Sequence, residues 1–366
     1  IIPKEVNFNM EEEVLFSVNN EVGMITLNRP ATLNALTMNM INKLRDKFTR
    51  WLEDDEIKVI LIKGAGERAF CAGGDVRAVR QSLIEHKGAG LPDLARNFFF
   101  EEYILNHQIH TCSKPYVAFI DRVCMGGGVG LSVHGSHRVA TERTLLGMPE
   151  TTIGLFPDVG GAWFLSRLPG AVGIYLALTG RPIGPADCLA YGIATHVVNS
   201  SDLEKLESDI QHTQLSGDAH KKIDDVLDQY GVVPDENTLS NNNVEIDKYF
   251  SENRVEDIIR NLEAADTVFA SESLEALGSK SPTSLKVTLE QIKRGGKAKG
   301  FAETMIMEYR MSQKFALGHD FREGVRALLV DKDHNPKWEP SSLDSVSDEL
   351  VESYFEPVEW GDLVIP

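Results

Sequence analysis

The stretch "MPETTIGLFPDVGG" (148–161) sets two carboxylates, Glu150 and Asp158, among Ile153, Leu155, Phe156 and Val159. A carboxyl group in a partly dry setting binds its proton more tightly than in water, which suits it to proton transfer. Two other stretches carry chemistry in their backbone. "AGGD" (72–75) and "GGG" (126–128) each follow an apolar run and precede a helical one. A glycine admits close backbone approach, and a helix start leaves amide N–H groups unpaired. Two such turns meeting in space would aim two amides at one oxygen, forming an oxyanion hole. Read one at a time, each is better explained as a tight turn with packing glycines.

Other chemistries fit less well. "GGGVGLS" is not GxGxxG, and no Walker lysine follows either turn. His107/His110 and His134/His137 have i, i+3 spacing without an acidic third ligand in register, so they read as solvated or hydrogen-bonded helix histidines. Ser132 in "GLSVHG" lacks the GxSxG elbow of a serine hydrolase.

The elements that must position these residues follow from periodicity. Residues 1–12 are polar and acidic and read as a loose entry. "VLFSV" and "VGMITL" predict a β-hairpin across an Asn-rich turn, and "NRPATLNALT" a loop. Thr37 can cap a helix with apolar positions at Met38, Ile41, Leu44, Phe48, Trp51 and Leu52. "KVILIKG", "KPYVAFI", "HRVAT" and "TLLGM" read as strands, and "VRAVRQSLIEH" and "LARNFFFEEYILNHQIH" as helices. Strand, glycine turn and helix recur at least twice over residues 55–140, which predicts an α/β fold whose turns face a common site. The two expected divisions are an α/β core over 13–200 and a helical C-terminal region over 201–366, serving as cap or assembly surface. Within the latter, "GVVPDENTLSNNN" reads as a loop or insertion.

Bulk properties narrow the choice. The 366 residues are 42% hydrophobic and 25% charged, an ordinary globular composition that can bury a sizeable core. A net charge of −18 argues against a nucleic-acid partner, because phosphate contact needs a clustered basic surface. An anionic small ligand remains open, since a few local Lys or Arg would suffice. No apolar run reaches membrane-spanning length. Cys71, Cys112, Cys124 and Cys188 form no CxxC pair and read as free thiols in a reducing compartment. The start "IIPKEV" lacks Met, so a removed or omitted leader is expected, and the final "LVIP" matches no peroxisomal or retention signal.

Taken together, "LNRPATLNAL", "KGAGERAFCAGGD", "VCMGGGVGLSVHGSHRVAT" and "MPETTIGLFPDVGG" resemble the enoyl-CoA hydratase/isomerase (crotonase) superfamily. They look most like its 3-hydroxyisobutyryl-CoA hydrolase branch. The likeness runs from about residue 14 to 200 and resumes at "SPTSLKVT" and "DFREGVRALLVDKDHNPKW". It implies a crotonase-like ββα spiral that binds an acyl-CoA, with the thioester oxygen between the amides of Gly74 and Gly127. It also implies that Glu150 and Asp158 are the catalytic pair and that Glu102 of "FFFEEYILN" binds the substrate hydroxyl. Without the resemblance, Glu102 would read as a solvated helix residue. Hydratases of the superfamily use two glutamates; one matches Glu150, and the other falls at Gly130, where this chain has no side chain to offer. Asp158 stands where hydratases usually carry glycine, which points to hydrolysis.

The reaction so implied is 3-hydroxyisobutyryl-CoA to 3-hydroxyisobutyrate and CoA, a step of valine breakdown in the mitochondrial matrix, with a peroxisomal relative as the alternative. No metal or redox cofactor is implied, and a homo-oligomer is possible. The competing readings are an enoyl-CoA hydratase/isomerase and a non-catalytic acyl-CoA-binding protein. One departure stands out. The family's lysine near the coenzyme phosphates is Ala31 here, leaving Arg29 or C-terminal basic residues as candidates for that contact.

Overall fold

A computed structural model describes residues 12–234 and 239–365. The expected loose entry, apart from Glu12, and residues 235–238 of the expected loop lie outside the described residues. The hairpin forms as predicted from β1 (Val14–Asn19) and β2 (Val22–Leu27), paired antiparallel around Asn20, whose φ is 55°. Asn adopts this left-handed conformation more readily than most residues do. The helix α1 (Met38–Glu53) starts at Thr37, whose side chain accepts the Met40 amide, and it buries Met40, Ile41, Leu44, Phe48 and Trp51.

Among the described residues seven further strands follow: β3 (Val59–Gly64), β4 (Ala69–Cys71), β5 (Tyr116–Ile120), β6 (Val123–Met125), β7 (His137–Thr141), β8 (Leu145–Gly147) and β9 (His196–Val198). They form a six-stranded sheet, ordered β1-β2-β3-β5-β7-β9, and a three-stranded sheet, β4-β6-β8. Every pairing after β1–β2 is parallel. Each turn of the chain lays one strand in the large sheet and the next in the small one. This is the ββα spiral.

The central strand β3 is buried on both faces, which explains its unbroken apolar run "VILI". Alternation divides it. Val59 and Leu61 pack with Leu206, Ile210 and Ile223 of the helices Leu203–His212 and Ala219–Leu227. Ile60 and Ile62 face the main core on the opposite side.

The small sheet positions the site. Its three strands run parallel, so their C-terminal ends share one edge, and "AGG", "GGG" and the Glu150 loop leave from that edge. After β4 comes α2 (Val76–Glu85), then α3 (Asp93–His110); after β6 comes α4 (Gly127–Ser132). The "NRPATLNAL" loop braces the first turn. Asn34, fully buried, donates to the carbonyls of Ala65 and Ala69 and accepts the Arg29 amide. Leu36 bridges to the Gly73 carbonyl and the Asp75 amide, leaving the Gly74 N–H out of that bridge.

The two glycine turns touch. A Cβ on Gly128 would lie 2.3 Å from the Cys71 carbonyl oxygen and 2.9 Å from the Cys71 Cβ. Backbone cannot yield as a side-chain tip can, so Gly128→Ala should lose about 1–3 kcal/mol of stability. Urea denaturation checks this, and a wild-type midpoint would mean that the turns are not held in this contact.

Candidate active site

A cavity of about 250 Å³ opens at the shared edge of the small sheet. Gly73, Gly74, Gly126, Gly127, Glu102, Glu150 and Asp158 line it, together with Val76, Phe98, Phe99, Ile153, Leu155, Leu328 and Leu329. All five residues singled out from the sequence therefore meet at one place. The glycines earn their identity by contact. A Cβ on Gly127 would sit 2.5 Å from Glu102 Oε1 and 3.3 Å from the Gly74 nitrogen. Gly127 opens α4, where no intrahelical acceptor exists for a first-turn amide. Gly126, at φ 49°, would place a Cβ 2.8 Å from Glu150 Oε1.

Glu150 begins a 3-10 turn, Glu150–Ile153, that directly follows β8 and Pro149. The turn ends at Gly154, whose φ is 69° and whose Cβ would lie 2.3 Å from the Asp320 carbonyl. Glu150 and Asp158 are each only 5% exposed, and Glu102 is 3% exposed. Glu102 is thus no solvated helix residue. Burial pushes the Glu150 carboxyl well above the usual range, and neighbouring Asp158 adds to the effect. Burial raises Glu102 in the same way, again reinforced by Asp158. Asp158 is pushed up to about 7 by burial, opposed by a hydrogen bond from Tyr103. The Tyr103 hydroxyl donates to Asp158 Oδ2 at 2.8 Å. Oε2 of Glu150 and Oε1 of Glu102 are buried without a hydrogen-bond partner among the described residues. Such an arrangement can take up protons and accept hydrogen bonds from a bound molecule.

Gly130, where the resemblance sets a hydratase glutamate, does not line the cavity. Its Cβ would fall 2.6 Å from Val159 Cβ and 2.8 Å from Asn106 Nδ2, so that space is already filled. Arg29 is tied between Glu13 (3.3 Å) and Asp75 (3.6 Å). Lys280 donates to Thr152, a cavity residue, at 2.6 Å, and burial lowers its ammonium to about 8. His134 is a hydrogen-bonded histidine, donating from Nε2 to the Val159 carbonyl at 2.7 Å.

Sequence reading missed Tyr103, Gln291, Glu308, Leu328 and Leu329. Tyr103 directly follows Glu102, but an aromatic residue on an apolar helix carries no special signal. Glu308 does carry one. It shares its helix face with Thr304, Met305, Ser312 and Phe315, an otherwise uncharged and buried stripe. A glutamate is rarely buried unless something pairs with it.

The chain matches the model of the enoyl-CoA hydratase/isomerase family over residues 22–355. It is 48% identical over 356 residues to a Danio rerio protein named "3-hydroxyisobutyryl-CoA hydrolase, mitochondrial", covering 96% of this chain and 91% of that protein. The Homo sapiens protein of the same name is 46% identical over 357 residues, covering 96% and 90%. Among solved structures, a carnitinyl-CoA dehydratase from Mycobacterium thermoresistibile is 39% identical with a TM-score of 0.87, covering 96% of this chain and 98% of that one. An enoyl-CoA hydratase from Rhodobacter sphaeroides is 35% identical with a TM-score of 0.88, covering 97% and 100%. A spiral with its site at the edge of a small parallel sheet, and a likeness that spans nearly the whole chain, agree: this protein belongs to the enoyl-CoA hydratase/isomerase family.

Proposed function

We infer that this chain hydrolyses 3-hydroxyisobutyryl-CoA to 3-hydroxyisobutyrate and CoA. The observation that carries the reading is the pair Glu150 and Asp158, both buried on the wall of one cavity beside the two glycine turns. In this reading the thioester oxygen accepts the N–H groups of Gly74 and Gly127. Ionised Glu150 either takes a proton from attacking water or attacks the carbonyl carbon itself, in which case water then cleaves the acyl–Glu150 anhydride to the free acid and restores the carboxylate. Negative charge moves onto the oxygen between the two amides. When the C–S bond breaks, the sulfur leaves as thiolate and takes its proton from Asp158, which Tyr103 keeps oriented. Glu102 receives the substrate hydroxyl. Apolar walls from Phe98, Leu155 and Leu329 suit a short branched acyl chain.

Hydration of an enoyl-CoA is the second reading, favoured by the names of the two solved structures. Against it, the space beside Gly130 is filled by Val159 and Asn106. A survey of hydroxyacyl-, acyl- and enoyl-CoA thioesters separates the readings. Thiol release fastest on 3-hydroxyisobutyryl-CoA is expected, and enoyl hydration without thiol release would sink the hydrolase assignment. No turnover of any thioester would leave only an acyl-CoA-binding protein. The names of the relatives support a mitochondrial place for the chain. Within it we assign the matrix and a step of valine breakdown, with acyl-CoA as the only partner the reaction requires and no cofactor.

Glu150→Gln should lose about 10²–10⁴ in kcat and still bind acyl-CoA, because the amide keeps size but not basicity. Asp158→Asn should be severely slowed too, and the double variant little worse than Glu150→Gln alone, since groups acting together are non-additive. Wild-type kcat in Glu150→Gln would remove it from the chemistry.

Glu102→Ala should narrow the rate difference between hydroxyacyl- and plain acyl-CoA substrates, because a pocket that pairs a hydroxyl rejects the substrate lacking it. Equal losses on both would assign Glu102 another role.

Stability should follow the raised carboxyls. The folded Asp158 carboxyl titrates at about 7, above the unfolded value near ~4. Its contribution is full below pH ~4 and is lost as pH rises through about 7, because the folded state holds the extra proton. Asp158→Asn cannot ionise, so its melting temperature should gain on that of the wild type between about pH 4 and 7. A constant difference across that range would contradict the raised carboxyl.

A further inference from the structure

The segment that carries Asp158 is bent into an unfavourable backbone conformation. Val159 has a φ of 51°, where a β-branched side chain is strained, and Gly160 follows at 84°. Strain of this kind persists only where the surroundings over-determine the backbone. Two side chains from the C-terminal half do so here. They come from α6 (Pro282–Gly295) and α7 (Phe301–Leu317), which pack onto α5 (Gly161–Leu165) and, for α7, also onto α3.

Glu308 of α7 is fully buried. Its Oε2 accepts the Gly160 amide at 2.7 Å and its Oε1 accepts the Ala162 amide at 2.8 Å. Gln291 of α6 donates to Glu308 Oε1 at 3.1 Å and to the Pro157 carbonyl at 2.7 Å. Backbone groups on both sides of Asp158 are therefore gripped by one connected pair of side chains. His134 holds the carbonyl between them, that of Val159.

We propose that Glu308 is a positioning residue for the hydrolysis described above, acting through the backbone of residues 157–162 to hold Asp158 against Tyr103 and the cavity. The inference rests on that reaction.

A hydrophobic helix face needs no glutamate for packing, and a buried carboxyl is costly unless donors meet it. Three N–H donors do meet Glu308. Its charge also acts at short range on its neighbours. Asp158 and Glu150 face it from the loop, Tyr103 from α3 and Gln291 from α6. The helix α5, "GAWFL", brings no titratable side chain. Asp320, which opens α8 (Asp320–Val325), is turned instead to Ser281 and the Glu339 amide. Burial raises Glu308 itself to about 8, and above that pH its negative charge holds protons more tightly on Glu150.

The test follows thiol release from 3-hydroxyisobutyryl-CoA by the full chain across about pH 5 to 9, with the melting temperature measured in parallel. Glu308→Gln keeps the volume but sets an amide NH₂ against a backbone donor. Its kcat should fall about 10–100-fold with KM within about threefold, as expected for a small misplacement of a reacting group. Wild-type kcat per folded molecule overturns the proposal. So does a fall in kcat/KM carried by KM alone, which marks lost binding and not lost positioning. Should Glu308→Gln not fold, Gln291→Met removes the tie to Pro157 at similar volume; reduced kcat with retained KM supports the proposal, and unchanged kcat overturns it. A wild-type chain that releases no thiol overturns the reaction itself and this inference with it. An active wild type beside an unaffected Glu308→Gln overturns the inference alone.

Discussion

Four carboxyl groups, Glu102, Glu150, Asp158 and Glu308, lie buried around one small volume, each no more than 5% exposed. Removing a carboxylate from water is costly, and four in one place repel each other when ionised. Burial therefore pushes all four upward in proton affinity, and the folded state shares out protons and donors among them. Asp158 is met by the Tyr103 hydroxyl, and Glu308 by two backbone amides and Gln291. Glu102 and Glu150 each retain a buried oxygen without a partner among the described residues. Glu102 and Glu150 thus keep oxygens for a ligand and Asp158 faces the cavity, whereas Glu308 commits both of its oxygens to the fold.

The spiral makes such a cluster affordable by supplying rigid edges. Three parallel strands of three residues each, β4, β6 and β8, release their chains on the same side. Two of the released turns are glycine-rich and approach within side-chain-excluding distance of each other. The third carries Glu150. A cavity at the C-terminal edge of parallel strands is a recurrent consequence of this topology, because the strand ends hold the emerging loops in fixed register. The "NRPATLNAL" loop, through Asn34 and Leu36, adds a brace to the first turn.

The C-terminal helices complete the cavity from the other side. Leu328 and Leu329 sit on a π-helical turn, Arg326–Val330, and form part of the cavity wall. Gly324 of α8 lets that helix lie on the backbone of Ile153, where a Cβ would come within 2.3 Å of the carbonyl carbon. Asp320 accepts the Ser281 hydroxyl at 2.6 Å, joining α8 to the start of α6 beside the same loop. The loop of Glu150 and Asp158 thus lies between the spiral and the helical half, in contact with both.

The sequence by itself determined the hairpin, α1 with its Thr37 cap, the strand–turn–helix order, the two glycine turns and the apolar setting of Glu150 and Asp158; the family resemblance singled out Gly74, Gly127 and Glu102. The former are local facts: alternation, helical spacing and capping act over a few residues, and a glycine turn is visible where it occurs. Recognition of Glu102 needed more than local pattern, because a glutamate on a helix reads as solvated until its face is known. Helices Val172–Thr179, Pro185–Ala190, Asn243–Phe250 and Val268–Gly278 are among those that escaped, the third emerging from an Asn-rich stretch that reads as loop and the fourth following an acidic run. Only the tertiary structure decided that Tyr103 meets Asp158, that Glu308 and Gln291 grip the backbone around it, and that Val159 fills the space beside Gly130. Each of those contacts joins residues at least 29 positions apart, the Tyr103–Asp158 bond spanning 55 and the Glu308–Gly160 bond 148. Proton affinity in the site is set by such distant neighbours and by burial, and neither is written in the local order of residues.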